Sequence, residues 1–142
     1  MDSLFFRQEH VMIRDMVRDF VDAQVVPIAR SLDQEERFPT ELVKQMGELG
    51  LMGFMVPEEY GGLGLDMLFA TVVAGALGYG TAPCPYAGAY VMAPLALSIA
   101  GSDKQKEEWL PKIAGGESLI GVGISEYIGS IRKTTPGVEL MN

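Results

Sequence analysis

Catalytic material is scarce in this sequence. It holds one cysteine, one histidine and one tryptophan among 142 residues. A single cysteine, Cys84, can form no intrachain disulfide. Flanked by Pro83 and Pro85, it has no neighbouring base to make it a nucleophile. Metal sites draw on clustered His, Cys or carboxylates, and none stands at ligand spacing, so no metal is expected. His10, alone on the first helix, reads as a surface or locally satisfied residue. Glu58 and Glu59 are adjacent, and adjacent carboxylates do not face one reacting bond together. No residue is therefore assigned a catalytic role. Basic charge is also short: 11 Lys and Arg against 19 Asp and Glu leave a net charge of −8. Nucleic acids and anionic membrane surfaces need a basic face, so neither is expected as a partner. The opening, MDSLFFRQEH, carries charge where a signal peptide needs an apolar core. This points to a cytoplasmic protein, or to a matrix protein without its targeting segment.

The largest absence organises the chain. From Met67 to Ser102 there is no Asp, Glu, Lys or Arg. Such a run is either a pair of helices buried on all sides or a membrane hairpin. Gly78, Gly80, Pro83 and Pro85 divide it into Met67–Tyr79 and Tyr86–Ala100, each short of the roughly 20 residues that cross a bilayer. Burial is the reading preferred. Pro94 should kink the second piece or shift a helical start. Gly75, Ala76, Gly78, Ala87, Gly88, Ala89 and Ala93 allow either tight helix packing or a slot for an apolar ligand.

What is present around that run is helical. Apolar residues from Phe6 to Leu32 recur at spacings of three and four, predicting a helix from about Ser3 to Asp33 that Pro27 divides at a bend. Its charged residues form a solvated face. Glu41–Leu49 predicts a short helix with Leu42, Val43, Met46 and Leu49 inward and Gly50 as its left-handed stop. Gly61, Gly62 and Gly64 predict a loop needing positive φ or close backbone approach. A phosphate cradle is the lesser reading there, because no Lys-Ser/Thr follows. Asp66 is the natural N-cap of the first central helix, and Ser102 with Gln105 forms a capping box for another. Trp109, Leu110 and Ile113 form the buried stripe of that last helix. SLIGVGIS, Ser118–Ser125, reads as a short strand, and Glu126–Asn142 as irregular or poorly ordered. Hydrophobic residues at 48% are enough for one cored domain. The class is all-α: a helical domain over residues 1–117, with a short strand near the C-terminus.

Three stretches resemble one family in order and spacing: EHVMIRDMVRDFVDAQVVPIARSLD, GELGLMGFMVPEEYGGLGLD and GSDKQKEEWLPKIAGGE. Together they resemble the N-terminal helical domain of acyl-CoA dehydrogenases. The resemblance implies an oxidoreductase of fatty acid metabolism, a flavoprotein using FAD to remove hydrogens from the α and β carbons of an acyl-CoA. It implies that residues 118–142 begin a β domain whose first strand touches flavin, through Val122, Ile124 and Ser125. It places Tyr86, Gly88 and Tyr90 beside the acyl substrate. Gly75-Ala76 stand where many members carry an acidic pair. The implied partners are acyl-CoA and either a second copy in a homo-oligomer or a partner chain. The later β domain and the catalytic glutamate of the family have no counterpart in this sequence. A truncated chain that is inactive alone and does not retain FAD is expected. The alternative from another class is a non-enzymatic helical module that assembles with a partner or binds an apolar ligand.

Overall fold

In a computed structural model the described residues are 5–123. They form α1 (Gln8–Phe20), a π-helical turn π1 (Val21–Val25), α2 (Val26–Gln34), α3 (Thr40–Glu48), two 3₁₀ turns (Leu51–Gly53 and Glu58–Tyr60), α4 (Met67–Tyr79), a second π-helical segment π2 (Tyr86–Met92), α5 (Ala93–Ala100) and α6 (Asp103–Ala114). The domain is all-helical among the described residues. No helix there is long and apolar enough to cross a membrane, which removes the hairpin reading of Met67–Ser102.

Two prolines explain two irregularities by one mechanism. Pro27 and Pro94 each sit in the first turn of a helix, α2 and α5, and each follows a π segment. Proline donates no N–H, and its ring crowds the carbonyl four residues back. Those carbonyls belong to Ala23 in π1 and Tyr90 in π2. Widening the turn just before the proline relieves the clash. The expected division at Pro27 and the shifted start at Pro94 are both seen. Ser3, the expected first cap, lies outside the described residues; α1 begins at Gln8, with Arg7 in the N-cap position.

The caps read from sequence form as expected. The Asp66 carboxylate accepts the backbone N–H groups of Leu68 and Phe69 at 3.0 and 3.3 Å. The Ser102 N–H donates to Gln105 Oε1 at 2.9 Å, and the Gln105 N–H donates to Ser102 Oγ at 3.3 Å. Gly50 adopts φ 74° and stops α3. α1 packs along α4, and α5 along α6. One core joins them, with Val17, Val21, Met46, Leu51, Met52, Val73, Tyr90, Leu110 and Ile113 almost fully buried.

Three expectations are corrected. Leu49 is exposed rather than inward, because it follows the last turn of α3 and falls on that helix's flank. The strand expected over Ser118–Ser125 is absent in its described part, residues 118–123; a strand exists only by pairing, and no described segment pairs with it. The central helices are not buried on all sides: Met67, Thr71, Gly75, Gly78 and Tyr79 of α4 face outward.

Candidate functional site

α4 has two unlike sides. Its inner side carries Phe69, Val72, Val73, Ala76 and Leu77, all buried. Its outer side carries Met67, Thr71, Gly75 and Gly78, at helical spacings of four, four and three. Among the described residues, and apart from the adjoining residues and the helix's own backbone, no atom lies within 4 Å of where a Cβ would stand at Gly75 or Gly78. The same is true of Gly88 in π2, beside exposed Ala87. These surfaces carry no charge, and at the glycines nothing projects beyond the backbone. Ala76, Ala89 and Ala93 instead turn inward and serve packing. The packing reading holds for Ala76, Ala89 and Ala93, while Gly75, Gly78, Ala87 and Gly88 lie at the surface. The signal in the sequence was the phase of the small residues against the bulky ones, not their number.

Two of the residues expected beside a substrate are tyrosines of π2. Tyr86 and Tyr90 are buried, with ring centroids 6.4 Å apart. The Tyr86 hydroxyl donates to the Leu51 carbonyl at 3.2 Å and so ties π2 to the first 3₁₀ turn. The Tyr90 hydroxyl has no hydrogen-bond partner among the described residues. Burial, with a smaller contribution from Cys84, pushes both phenols above their ordinary range. Cys84 itself is raised by burial, so its thiol stays protonated and unreactive near neutral pH. Of the three residues, Gly88 alone reaches the surface.

The glycine loop is not a phosphate cradle. Its N–H groups are turned inward onto its own backbone: Gly62 donates to Pro57, Leu63 to Gly53, Gly64 to Val56 and Leu65 to Phe54. Glu58 and Glu59 add negative charge beside it. Trp109 is half-buried, with the Lys112 ammonium 4.6 Å from its ring centroid, and Leu110 and Ile113 complete the expected stripe. A shallow open groove between α1 and α3 is lined by Phe20, Gln24, Gln45, Glu48 and Leu49. It offers a carboxylate and no cation, and contains none of the expected site residues. Among the described residues no cluster of His, Cys, Asp and Glu could hold a metal.

Of the three residues expected beside flavin, Val122 is 36% exposed in a segment without regular structure, and Ile124 and Ser125 lie outside the described residues. A flavin dinucleotide needs donors or cations for its pyrophosphate and a walled slot for its ring. The loop's amides are already engaged and the groove is acidic and open. The described residues do not fit FAD by themselves.

Comparison with known proteins agrees with the architecture. A family model described as the acyl-CoA dehydrogenase N-terminal domain matches residues 7–117. The mitochondrial short-chain specific acyl-CoA dehydrogenase of Rattus norvegicus is 36% identical over 129 residues, covering 87% of this chain and 31% of its own length. The 3-(aryl)acrylate reductase of Clostridium sporogenes is 32% identical over 128 residues, covering 87% of this chain and 33% of its own. Among solved structures, the acyl-CoA dehydrogenase of Bacillus anthracis, complexed with FAD, superposes with a TM-score of 0.74 at 35% identity, over 84% of this chain and 21% of that one. The ChsE4-ChsE5 complex of Mycobacterium tuberculosis gives a TM-score of 0.79 at 29% identity, over 92% of this chain and 36% of that one. The chain spans about a third of the length of the curated relatives it matches. With the family model matching 7–117 and six helices arranged as in these structures, the chain belongs to the acyl-CoA dehydrogenase family and carries its N-terminal helical domain.

Proposed function

We propose that this chain serves a flavin-dependent acyl-CoA dehydrogenase by supplying a wall of the acyl pocket, and that it is inactive by itself. The observation that carries the reading is the outer side of α4: uncharged, accessible, and bare at Gly75 and Gly78. An acyl chain needs an apolar surface that its methylenes can lie against at van der Waals distance. A helix without side chains at two successive turns offers that surface and leaves room for the ligand. Gly88 and Ala87 extend the same chemistry to π2. The reaction served is α,β-dehydrogenation of an acyl-CoA thioester; the relative from Rattus norvegicus is named an acyl-CoA dehydrogenase. This chain contributes shape and exclusion of water to it, not proton transfer. Since the described residues do not fit FAD, the cofactor is held mainly by protein beyond these helices.

Two measurements test this. The purified chain, saturated with FAD and freed of excess by gel filtration, should emerge colourless. A yellow protein that bleaches on adding an acyl-CoA would overturn the claim of inactivity. In an enzyme assembled with this chain, Gly75→Leu should raise KM for acyl-CoA by about tenfold while the helical circular dichroism stays unchanged. An unaltered KM would remove α4 from the pocket.

A further inference from the structure

Tyr86 fastens the start of π2, where the backbone offers little hold of its own. Pro83 and Pro85, on either side of Cys84, donate no N–H. Pro85, in the N-cap position of π2, supplies no side-chain cap. A π turn closes its bonds over five residues rather than four, so one more N–H at its start goes without a partner inside the segment. The Tyr86 side chain, 3% exposed, reaches across the fold instead. Its hydroxyl donates to the Leu51 carbonyl at 3.2 Å over 35 positions of sequence, where the caps at Asp66 and Ser102 span two or three. The acceptor is itself fixed. Leu51, Met52 and Gly53 are buried, and a Cβ on Gly53 would stand 3.5 Å from Ala114 of α6. Tyr90 does not share the task, because its hydroxyl has no hydrogen-bond partner among the described residues. Ala87 and Gly88, next along π2, are exposed.

We propose that Tyr86 is a positioning residue for the acyl substrate: its hydroxyl fixes how far Ala87 and Gly88 stand out toward the acyl chain. The role rests on the reading of α4 and π2 as a wall of the acyl pocket. Tyr86 lies in the core and acts through the backbone it shares with Gly88. Without the hydroxyl, the buried Leu51 carbonyl loses its donor from π2, and the first residues of π2 lose their tie to the core. A surface bare of side chains holds an acyl chain by dispersion, and a gap of about 0.5–1 Å forfeits roughly a quarter to a half of that attraction. The depth of π2 is therefore what this part of the wall contributes, and Tyr86 sets it.

Amide NMR of the whole chain, with octanoyl-CoA as the probe and coenzyme A as the control, reads the two parts of the wall separately. In the native chain the Gly75, Gly78 and Gly88 signals should move with octanoyl-CoA and stay in place with coenzyme A. In Tyr86→Phe, which keeps the ring beside Tyr90, the Gly88 movement relative to that of Gly75 should fall by about a quarter to a half. An unchanged ratio, with only the denaturation midpoint lowered, would make the hydrogen bond merely structural and overturn the proposal. A silent Gly88 in the native chain, with Gly75 and Gly78 moving, would also overturn it and leave the α4 wall standing. Silence at Gly75 and Gly78 would remove the wall itself, and the proposal with it. Should Tyr86→Phe fail to fold, 4-aminophenylalanine at position 86 takes its place, since an aniline N–H donates more weakly than a phenol. A lowered ratio then supports the proposal, and an unchanged one overturns it.

Discussion

Two sets of glycines lie a few residues apart and owe their places to different causes. In the loop after the second 3₁₀ turn, glycine is demanded from within. Gly61 sits at φ 82°, and a Cβ on Gly62 would overlap the Val56 carbonyl. In α4, glycine is demanded by nothing among the described residues. Gly75 and Gly78 have helical neighbours on either side and open space above. Glycine in a helix interior costs about 0.5–1 kcal/mol relative to alanine. A chain that keeps two of them on an exposed helical side carries a cost that its own fold does not repay. Loop glycines therefore report on folding, and under the proposed function the α4 glycines leave room for the acyl chain.

The contrast can be broken most easily at Gly62. Gly62→Ala forces a Cβ into backbone rather than a flexible side chain, and should destabilise by about 3 kcal/mol, read as a lowered denaturation midpoint. A smaller loss would mean that the loop relaxes and that its glycines are not fixed from within. Next is Tyr86→Phe, at about 1–2 kcal/mol, because the buried Leu51 carbonyl loses its donor from π2. Asp66→Ala, at the junction of loop and helix, should cost about 1 kcal/mol by freeing the Leu68 and Phe69 N–H groups. The smallest effect has the opposite sign. Gly75→Ala should stabilise the isolated chain by about 0.5–1 kcal/mol. Destabilisation there would show that this side of α4 is closed within the chain itself, and would remove the basis for an outside ligand.

Much of this was legible in local chemistry. The caps at Asp66 and Ser102, the stop at Gly50 and the breaks around Pro27 and Pro94 each follow from a few neighbouring residues, and each is found. The candidate site was less legible. Tyr86 and Tyr90, placed beside the acyl substrate by the family resemblance alone, are buried in the core of the described residues. His10, read as a surface or locally satisfied residue, is buried, and its Nδ1 accepts the Arg7 N–H within the same turn. Its burial depends on Phe69, 59 positions along the chain, which no helical period can reveal.

The amino-acid sequence by itself determined where helices begin and end, which residues are apolar, and that Met67–Ser102 must be shielded from water. Those are short-range matters of backbone hydrogen bonding, ring geometry and side-chain hydration. Only the tertiary structure decided which side of α4 meets α1 and which stays open. It alone decided that the loop amides turn onto their own backbone, and that one imidazole is closed between two aromatic rings. Each of these depends on which distant segment fills the neighbouring space, and packing is settled by all the segments together.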